Sequence, residues 1–348
     1  MSPDWNRTGT AATDVFETIG NTPLVELKKA SKGLDGTIYG KWESFNPSNS
    51  LKDRIYHEMI TSAIERGDLT EDMEILETST GNAGIACTFV GTRLGFDVNV
   101  VMPEGMSVER KKLIRAYGGS LIETPGAESD VDLAMEKAEE MLEENPGTYW
   151  FPNQFSNPDN PTAHEKTTGP EITDQLGGVP DAFVAGQGTG GTITGVARHF
   201  EKAGGDAEIY ALEPAEAPML SQGQWGAHEI EGIGDGFIPE NLDPALLEGI
   251  VAVESEAAIR RSDWLSKHEG VFSGISSGAN VEGARMILEE RESVETVVTI
   301  LCDVGERYFS TRLFEPDYEV EVPDREHPLD ERSRTMLDEY QDQWRIIS

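Results

Sequence analysis

The sequence predicts an α/β protein of two domains, each built on a mainly parallel sheet flanked by helices. Strand-like apolar runs alternate with helix-like runs through most of the 348 residues, the pattern of strand–helix–strand units. The chain is long enough for a sizeable core and for two domains. No internal repeat and no low-complexity linker interrupts the alternation.

In chain order, "TIYGKWES" reads as a strand, followed by a turn at Pro47 and a cap in Ser48–Asn49–Ser50. From Leu51 the apolar residues Leu51, Ile55, Met59, Ile60 and Ala63 fall at helical spacing. "EILETS" (74–79) precedes an amphipathic stretch from about Asn82, "DVNVVMP" precedes "SVERKKLIRAYGG", and "SLIETP" precedes "ESDVDLAMEKAEEMLEE". Further on, "DAFVAGQG" (181–188) leads into "GTITGVARHFEKAG", "EIYALEP" follows, and "TVVTILCDV" closes the pattern. From about Pro316 the chain is highly charged, and its last part predicts a surface helix.

With 37% hydrophobic and 26% charged residues, the composition is that of a soluble globular protein. Its 28 basic against 64 acidic residues leave a net charge of −36, which disfavours nucleic acid and anionic membrane surfaces as partners. The acidic excess is dispersed and lysine is scarce, 11 Lys against 17 Arg. Such a surface predicts a halophilic habitat, where salt screens the repulsion among carboxylates. Cys87 and Cys302, each in an apolar run, read as buried reduced thiols. They and the six histidines show no metal-ligand spacing, so no metal is expected. The N-terminus lacks the form of a signal peptide and no run reaches membrane-spanning length, so the expected location is cytoplasmic.

Four segments carry chemistry. The first, "NPSNSLKDRIYHEMI" (46–60), places Lys52 in the first turn of a helix, where the dipole and unpaired N–H groups favour anions. The second is "GQGTGGT" (186–192): Gly188, Gly190 and Gly191 let backbone N–H groups approach a phosphate, and Thr189 and Thr192 add hydroxyls. The same glycines also match G-x-G-x-x-G, with Glu213 ending the next strand as in a dinucleotide site. This rival, a nicotinamide-dependent oxidoreductase, leaves Lys52 unexplained. In the third, "ETSTGNAG" (77–84), Ser79, Thr80, Gly81 and Asn82 form either a donor nest for a carboxylate or an ordinary cap. In the fourth, "FSGISSGAN" (272–280), Ser276 is either a cap or a neutral hydroxyl for a ring nitrogen. Together, a phosphate acceptor, a carboxylate nest and an awkward lysine point to pyridoxal 5'-phosphate, whose aldehyde forms a Schiff base with a lysine. Burial and helix-end potential both lower the pKa of Lys52 toward the amine this chemistry needs.

These residues resemble the cysteine synthases (O-acetylserine sulfhydrylases) of the fold type II pyridoxal phosphate enzymes. That group also includes cystathionine β-synthase and the serine/threonine dehydratases. The resemblance runs from "IGNTPLVEL" (19–27) to "GERYFSTRLF" (305–314), with "KWESFNPSNSLKDR", "MPEGMSVERKKLIRAYGG" and "NQFSNPDNPTAHEKTTGPEI" as its specific motifs. It implies a tryptophan synthase β-like fold, with Lys52 as the Schiff-base lysine and Gly188–Thr192 as the phosphate loop. Asn82 would bond the ring oxygen and Ser276 would face the ring nitrogen. Ser79, Thr80, Gly81 and Gln154 would hold the substrate carboxylate. A neutral serine does not keep the ring nitrogen protonated, which suits α,β-elimination over transamination.

The implied reaction is β-replacement on an activated serine: O-acetyl-L-serine and sulfide give L-cysteine and acetate by way of an aminoacrylate. The alternatives on the same scaffold are cystathionine synthesis and β-elimination from serine or cysteine. A homodimer is also implied. The expected division is a smaller domain over 40–152 with the lysine and carboxylate loop, and a larger one over 10–39 plus 153–315 with the phosphate loop. A charged extension over 316–348 would follow. Two departures stand out: Ala83 replaces a threonine in the carboxylate loop, and Asp235 in "GIGDGF" replaces an alanine near the entrance to the site.

Overall fold

A computed structural model describes residues 11–126, 130–315, 317 and 327–348. The start of the larger domain at residue 10 and most of 316–326 in the expected extension lie outside the described residues. An antiparallel pair, β1 (Leu24–Glu26) and β2 (Thr37–Trp42), precedes helix α1 (Lys52–Arg66). Then β3 (Glu74–Thr78), β4 (Val98–Pro103), β5 (Ser120–Thr124) and β6 (Tyr149–Trp150) alternate with α2 (Asn82–Arg93), α3 (Val108–Ala116) and α4 (Val131–Glu144). These strands form a parallel sheet in the order β5-β4-β3-β6.

Helices α5 (Asp159–Lys166) and α6 (Thr168–Leu176) lead to β7 (Ala182–Gly186), α7 (Gly191–Lys202), β8 (Glu208–Pro214) and the short α8 (Met219–Gln222). Next come β9 (Gly249–Val253), α9 (Ser255–His268), α10 (Ile275–Glu290), β10 (Thr296–Leu301), α11 (Glu331–Tyr340) and β11 (Arg345–Ile347). The second sheet has seven strands in the order β1-β2-β10-β7-β8-β9-β11, parallel everywhere except at β1. Its central strands are buried on both faces, with every residue of β9 covered, as in a parallel sheet sandwiched by helices.

The stripe read from the sequence does pack α1: Ile55, Met59, Ile60 and Ala63 are buried in the smaller core, and Leu51 is partly covered. The helix begins at Lys52, and its N-cap, Leu51, offers no side-chain cap. The serine run instead makes a turn ahead of the helix. Asp53 takes the Ser48 N–H at 2.6 Å and the Ser48 hydroxyl, and Ser50 Oγ accepts from the Lys52 N–H at 3.3 Å.

The stretch expected to be amphipathic from Asn82 is a core helix: Ala83 through Gly91 are all buried. Small residues make this possible. A Cβ on Gly84 would lie 2.8 Å from Val100 Cγ1, and one on Gly91 would lie 2.6 Å from Val98 Cγ2, so α2 approaches β4 too closely for side chains there.

The C-terminal helix is more than a surface element. Met336, Leu337 and Trp344 are buried in the core that holds Phe200, Leu220 and Ile250, and β11 extends the larger sheet beside β9. A buried ionic network ties the two halves on the side of α6. Arg54 on α1 pairs with Glu43 at 2.6 Å and Glu171 at 2.7 Å, and Lys41 on β2 pairs with Glu171 at 2.8 Å. Burial alone would raise the Glu171 carboxyl, but hydrogen bonds and charge from Arg54, then Lys41, hold it at about 2.

Candidate active site

The carboxyl ends of β3, β7 and β10 and the N-termini of α1, α2, α7 and α10 converge on one solvent-open cleft of about 910 Å³. Open α/β sheets carry their ligands at this end. The cleft is lined by Lys52, Ser79, Thr80, Gly81, Asn82, Gln154, Gly188, Thr189, Gly190, Thr192 and Ser276. Gly191 does not line it but begins α7, packed so that a Cβ would meet Asn160 Oδ1 at 1.9 Å. The four segments read separately along the chain therefore form one site.

Burial lowers the pKa of Lys52 from its ordinary value, opposed by Asp235, Cys302 and Glu77. Asp235 lines the same cleft. It sits in a loop where Gly232, Gly234 and Gly236 all take positive φ, so glycines at alternate positions allow the turn that brings in this carboxylate.

At the other wall, Gly190 (φ +76°) turns the chain from β7 into α7. Thr194 N–H is bonded to Gly190 O, which leaves the N–H groups of Gly191, Thr192 and Ile193 in the first turn without helical acceptors. Thr189 Oγ1 accepts from Asn160 Nδ2 at 3.0 Å, and Thr192 Oγ1 lies 3.1 Å from His164 Nε2. Burial, then the charge of Arg54, pushes the His164 imidazole down to about 3, so it is neutral.

Asn82 is oriented from behind. Its Nδ2 donates to Asp303 Oδ2 at 2.7 Å and its Oδ1 accepts from Arg307, which leaves one Nδ2 hydrogen for the cleft. Ser276 sits in the first turn of α10 beside Cys302, a thiol that burial pushes up to about 12. As a residue Cys302 is partly exposed at the cleft, although its thiol is enclosed by protein, whereas Cys87 is buried as expected. In the carboxylate loop, Ser79 Oγ accepts from the Gly81 and Gly84 N–H groups at 2.9 and 2.7 Å and so shapes the nest.

The dinucleotide rival fails on Glu213. Its carboxyl accepts from the Leu220 N–H at 2.6 Å, the Ser221 N–H at 3.2 Å and the Ser221 hydroxyl, so it caps α8 and is not among the cleft residues.

The residues present fit pyridoxal phosphate on their chemistry. Helix N–H donors without acceptors and two threonine hydroxyls suit a phosphate dianion, and an amine biased toward its neutral form suits an aldehyde. The sequence alone marks neither Arg110 and Glu231, which line the cleft, nor Asp303, Arg307 and Glu77, which hold Asn82 and Gln154 from behind it. Arg110 and Glu231 pair across the cleft, from α3 to the loop that carries Asp235. Among the described residues there is no acidic, histidine or cysteine cluster that could hold a metal, and no helix long and apolar enough to cross a membrane.

Residues 15–303 match the family described as pyridoxal-phosphate dependent enzyme. The chain is 45% identical over 307 residues to cysteine synthase A of Escherichia coli (strain K12), covering 85% of this chain and 94% of that protein. The crystal structure of cysteine synthase (OASS) from Entamoeba histolytica superposes with a TM-score of 0.84 at 35% identity, covering 99% of this chain and 98% of that one. An O-ureido-L-serine-bound mutant of O-ureido-L-serine synthase gives a TM-score of 0.83 at 38% identity, covering 89% and 96%.

Proposed function

The chain belongs to the family of pyridoxal-phosphate dependent enzymes, and on that premise we propose which residues carry its β-replacement on an activated serine. The reaction is that of a cysteine synthase, with O-acetyl-L-serine and sulfide giving L-cysteine and acetate. The observation that carries the assignment of roles is the meeting of Lys52 with the first turn of α7 in one cleft.

Bound there, pyridoxal phosphate offers its aldehyde to the substrate amine and its ring as a sink for the electrons left at Cα. Lys52 is the catalytic residue: its amine holds the cofactor at rest, takes the Cα proton as acetate leaves Cβ, and returns that proton once sulfide has added to Cβ. Gly188–Thr192 hold the phosphate, and Asn82 presents its remaining amide hydrogen to the ring oxygen. Ser276 donates to the ring nitrogen. The nest over Ser79–Gly81, with Gln154, receives the substrate carboxylate.

Our reading of the domains assigns the four-stranded sheet to the smaller one, carrying the lysine and the carboxylate loop, and the seven-stranded sheet to the larger one, carrying the phosphate loop. We further propose a homodimer in a salt-rich cytoplasm, with no nucleic-acid partner. The dispersed negative charge supports the salt-rich setting and the absence of nucleic acid. Steady-state rates with O-acetylserine, O-phosphoserine, serine and cysteine, each with sulfide or homocysteine, test the function. O-acetylserine with sulfide is expected to be fastest, and a preference for serine with homocysteine would replace cysteine synthesis by cystathionine synthesis.

Asp235 bears on the choice among activated serines. A carboxylate several ångströms from a second negative group in partly solvated protein repels it by roughly 1–4 kcal/mol, less in salt. A dianionic O-phosphoserine tail suffers more from this than a neutral acetyl tail. Asp235→Ala is therefore expected to raise kcat/KM for O-phosphoserine relative to O-acetylserine several-fold at low salt, with a smaller gain at high salt. An unchanged ratio at low salt would remove Asp235 from substrate selection.

A further inference from the structure

Behind the carboxylate loop the Tyr56 hydroxyl faces the Glu77 carboxyl closely enough to act on it as a donor, although neither it nor Glu77 Oε2 forms a hydrogen bond of good geometry, and Gln154 Oε1 has no partner at all. The Glu77 side chain, on β3, is wholly buried, and its Oε1 accepts from Gln154 Nε2 at 3.3 Å and from the Thr78 N–H at 3.0 Å. Gln154 Nε2 also donates to Thr78 O at 3.2 Å. Both amide hydrogens of Gln154 are thus held inward, and its oxygen has no partner although the residue lines the cleft. In that orientation Gln154 cannot donate to a substrate carboxylate.

Of the two bonds that hold the amide inward, the one to Thr78 O is the same at any pH and the one to Glu77 depends on the charge of that carboxyl. An ionised carboxylate accepts from Gln154 in a charge-assisted bond and competes directly with the carboxylate of the substrate. A protonated Glu77 loses that advantage and carries an O–H that can donate to Gln154 Oε1. We propose that Glu77 is a positioning residue that must be protonated for Gln154 to present its NH2 to the substrate carboxylate. This rests on Gln154 being a carboxylate contact.

The surroundings favour the protonated form. Burial pushes the Glu77 carboxyl up to about 8, against the opposing effects of Tyr56, the Thr78 N–H, Lys52 and Gln154. The groups that face it are Lys52 and Tyr56 from α1, Cys87 from α2 and Gln154 from the segment after β6. Tyr56 and Cys87 are themselves raised well above their ordinary values by burial and by Glu77, so both stay neutral, and Lys52, whose ammonium form burial disfavours, is the one remaining group of this set that could carry a charge.

The test is calorimetric titration of the holoenzyme with 3-acetoxypropanoate, the substrate skeleton without an amine to titrate. A single group at about 8 makes wild-type affinity fall about tenfold between about pH 7 and about pH 9. Glu77→Gln keeps the neutral shape and is expected to bind equally well at both pH values. Gln154→Ala is expected to bind weakly at both, with no fall. A flat wild-type profile overturns the proposal, as does a fall that persists in Gln154→Ala. If Glu77→Gln does not fold, the wild-type and Gln154→Ala profiles still decide. Unweakened binding in Gln154→Ala would instead end the assignment of Gln154 as a carboxylate contact, with the enzyme assignment left intact.

Discussion

Lys52→Ala is expected to leave a folded protein whose turnover of O-acetylserine and sulfide is lower by roughly 10³-fold or more, because one side chain supplies both the attachment and the proton transfer. Stability should not suffer. Burial disfavours the charged form of Lys52, so at neutral pH removing the amine removes a penalty on folding. The checks are steady-state kinetics and thermal unfolding of the variant, with borohydride reduction of the wild-type holoenzyme. Reduction should discharge the yellow colour and fix the cofactor on the peptide that contains Lys52. Lys41 is bound to Glu171 in the buried ionic network, and Lys166 pairs with Glu58 on the surface. A label on either of these would overturn the assignment.

The second large effect is expected from Thr192→Asp. Position 192 lies in the first turn of α7, where a carboxylate favours the helix dipole, so the apoprotein should fold at least as well. The same carboxylate faces the site of a phosphate dianion. Like unit charges at about 4 Å repel by about 4 kcal/mol at an effective dielectric constant of 20, which corresponds to roughly 10³-fold weaker cofactor binding. Gly190→Asp would be a less clean test, because its φ of +76° and a Cβ 2.7 Å from Leu242 N would strain the fold as well. Cofactor titration and unfolding of the apoprotein, compared with wild type, separate the two effects. Retention of the cofactor at wild-type affinity would reduce residues 186–192 to a turn.

Much of the fold and the first line of the site could be read from the sequence because both lie in local patterns. The alternating strands and helices, the stripe from Ile55 to Ala63 and the glycines at 188–191 each depend on neighbours a few residues apart. What escaped reading depends on distant contacts. Asp303 and Arg307 act by fixing Asn82 more than 200 residues earlier in the chain, and nothing local marks them among so many charged residues. Glu77 looks like one more polar residue until β3 buries it. α2 reads as amphipathic because Gly84 and Gly91 carry no hydrophobic signal, yet they let the helix press into the core from Ala83 to Gly91. The C-terminal segment reads as superficial because its few apolar residues, Met336 and Leu337 on α11 and Trp344 just before β11, are scattered through acidic sequence, and only the core beneath the larger sheet gives them a place.

The two sheets draw on the chain very differently. The four-stranded sheet uses one continuous stretch, residues 74–150, whereas the seven-stranded sheet joins β1 and β2 to strands that end with β11 at residue 347. During synthesis on a ribosome, the first sheet has all its strands long before the second. Domains that emerge early begin to fold as they appear, while β2, although it can pair at once with β1, must wait for its parallel neighbour β10, about 260 residues later. The lysine is then already on its helix before the loop that receives the phosphate has been made. The site therefore comes into being only when this early-built half is joined by a second half that is completed after it.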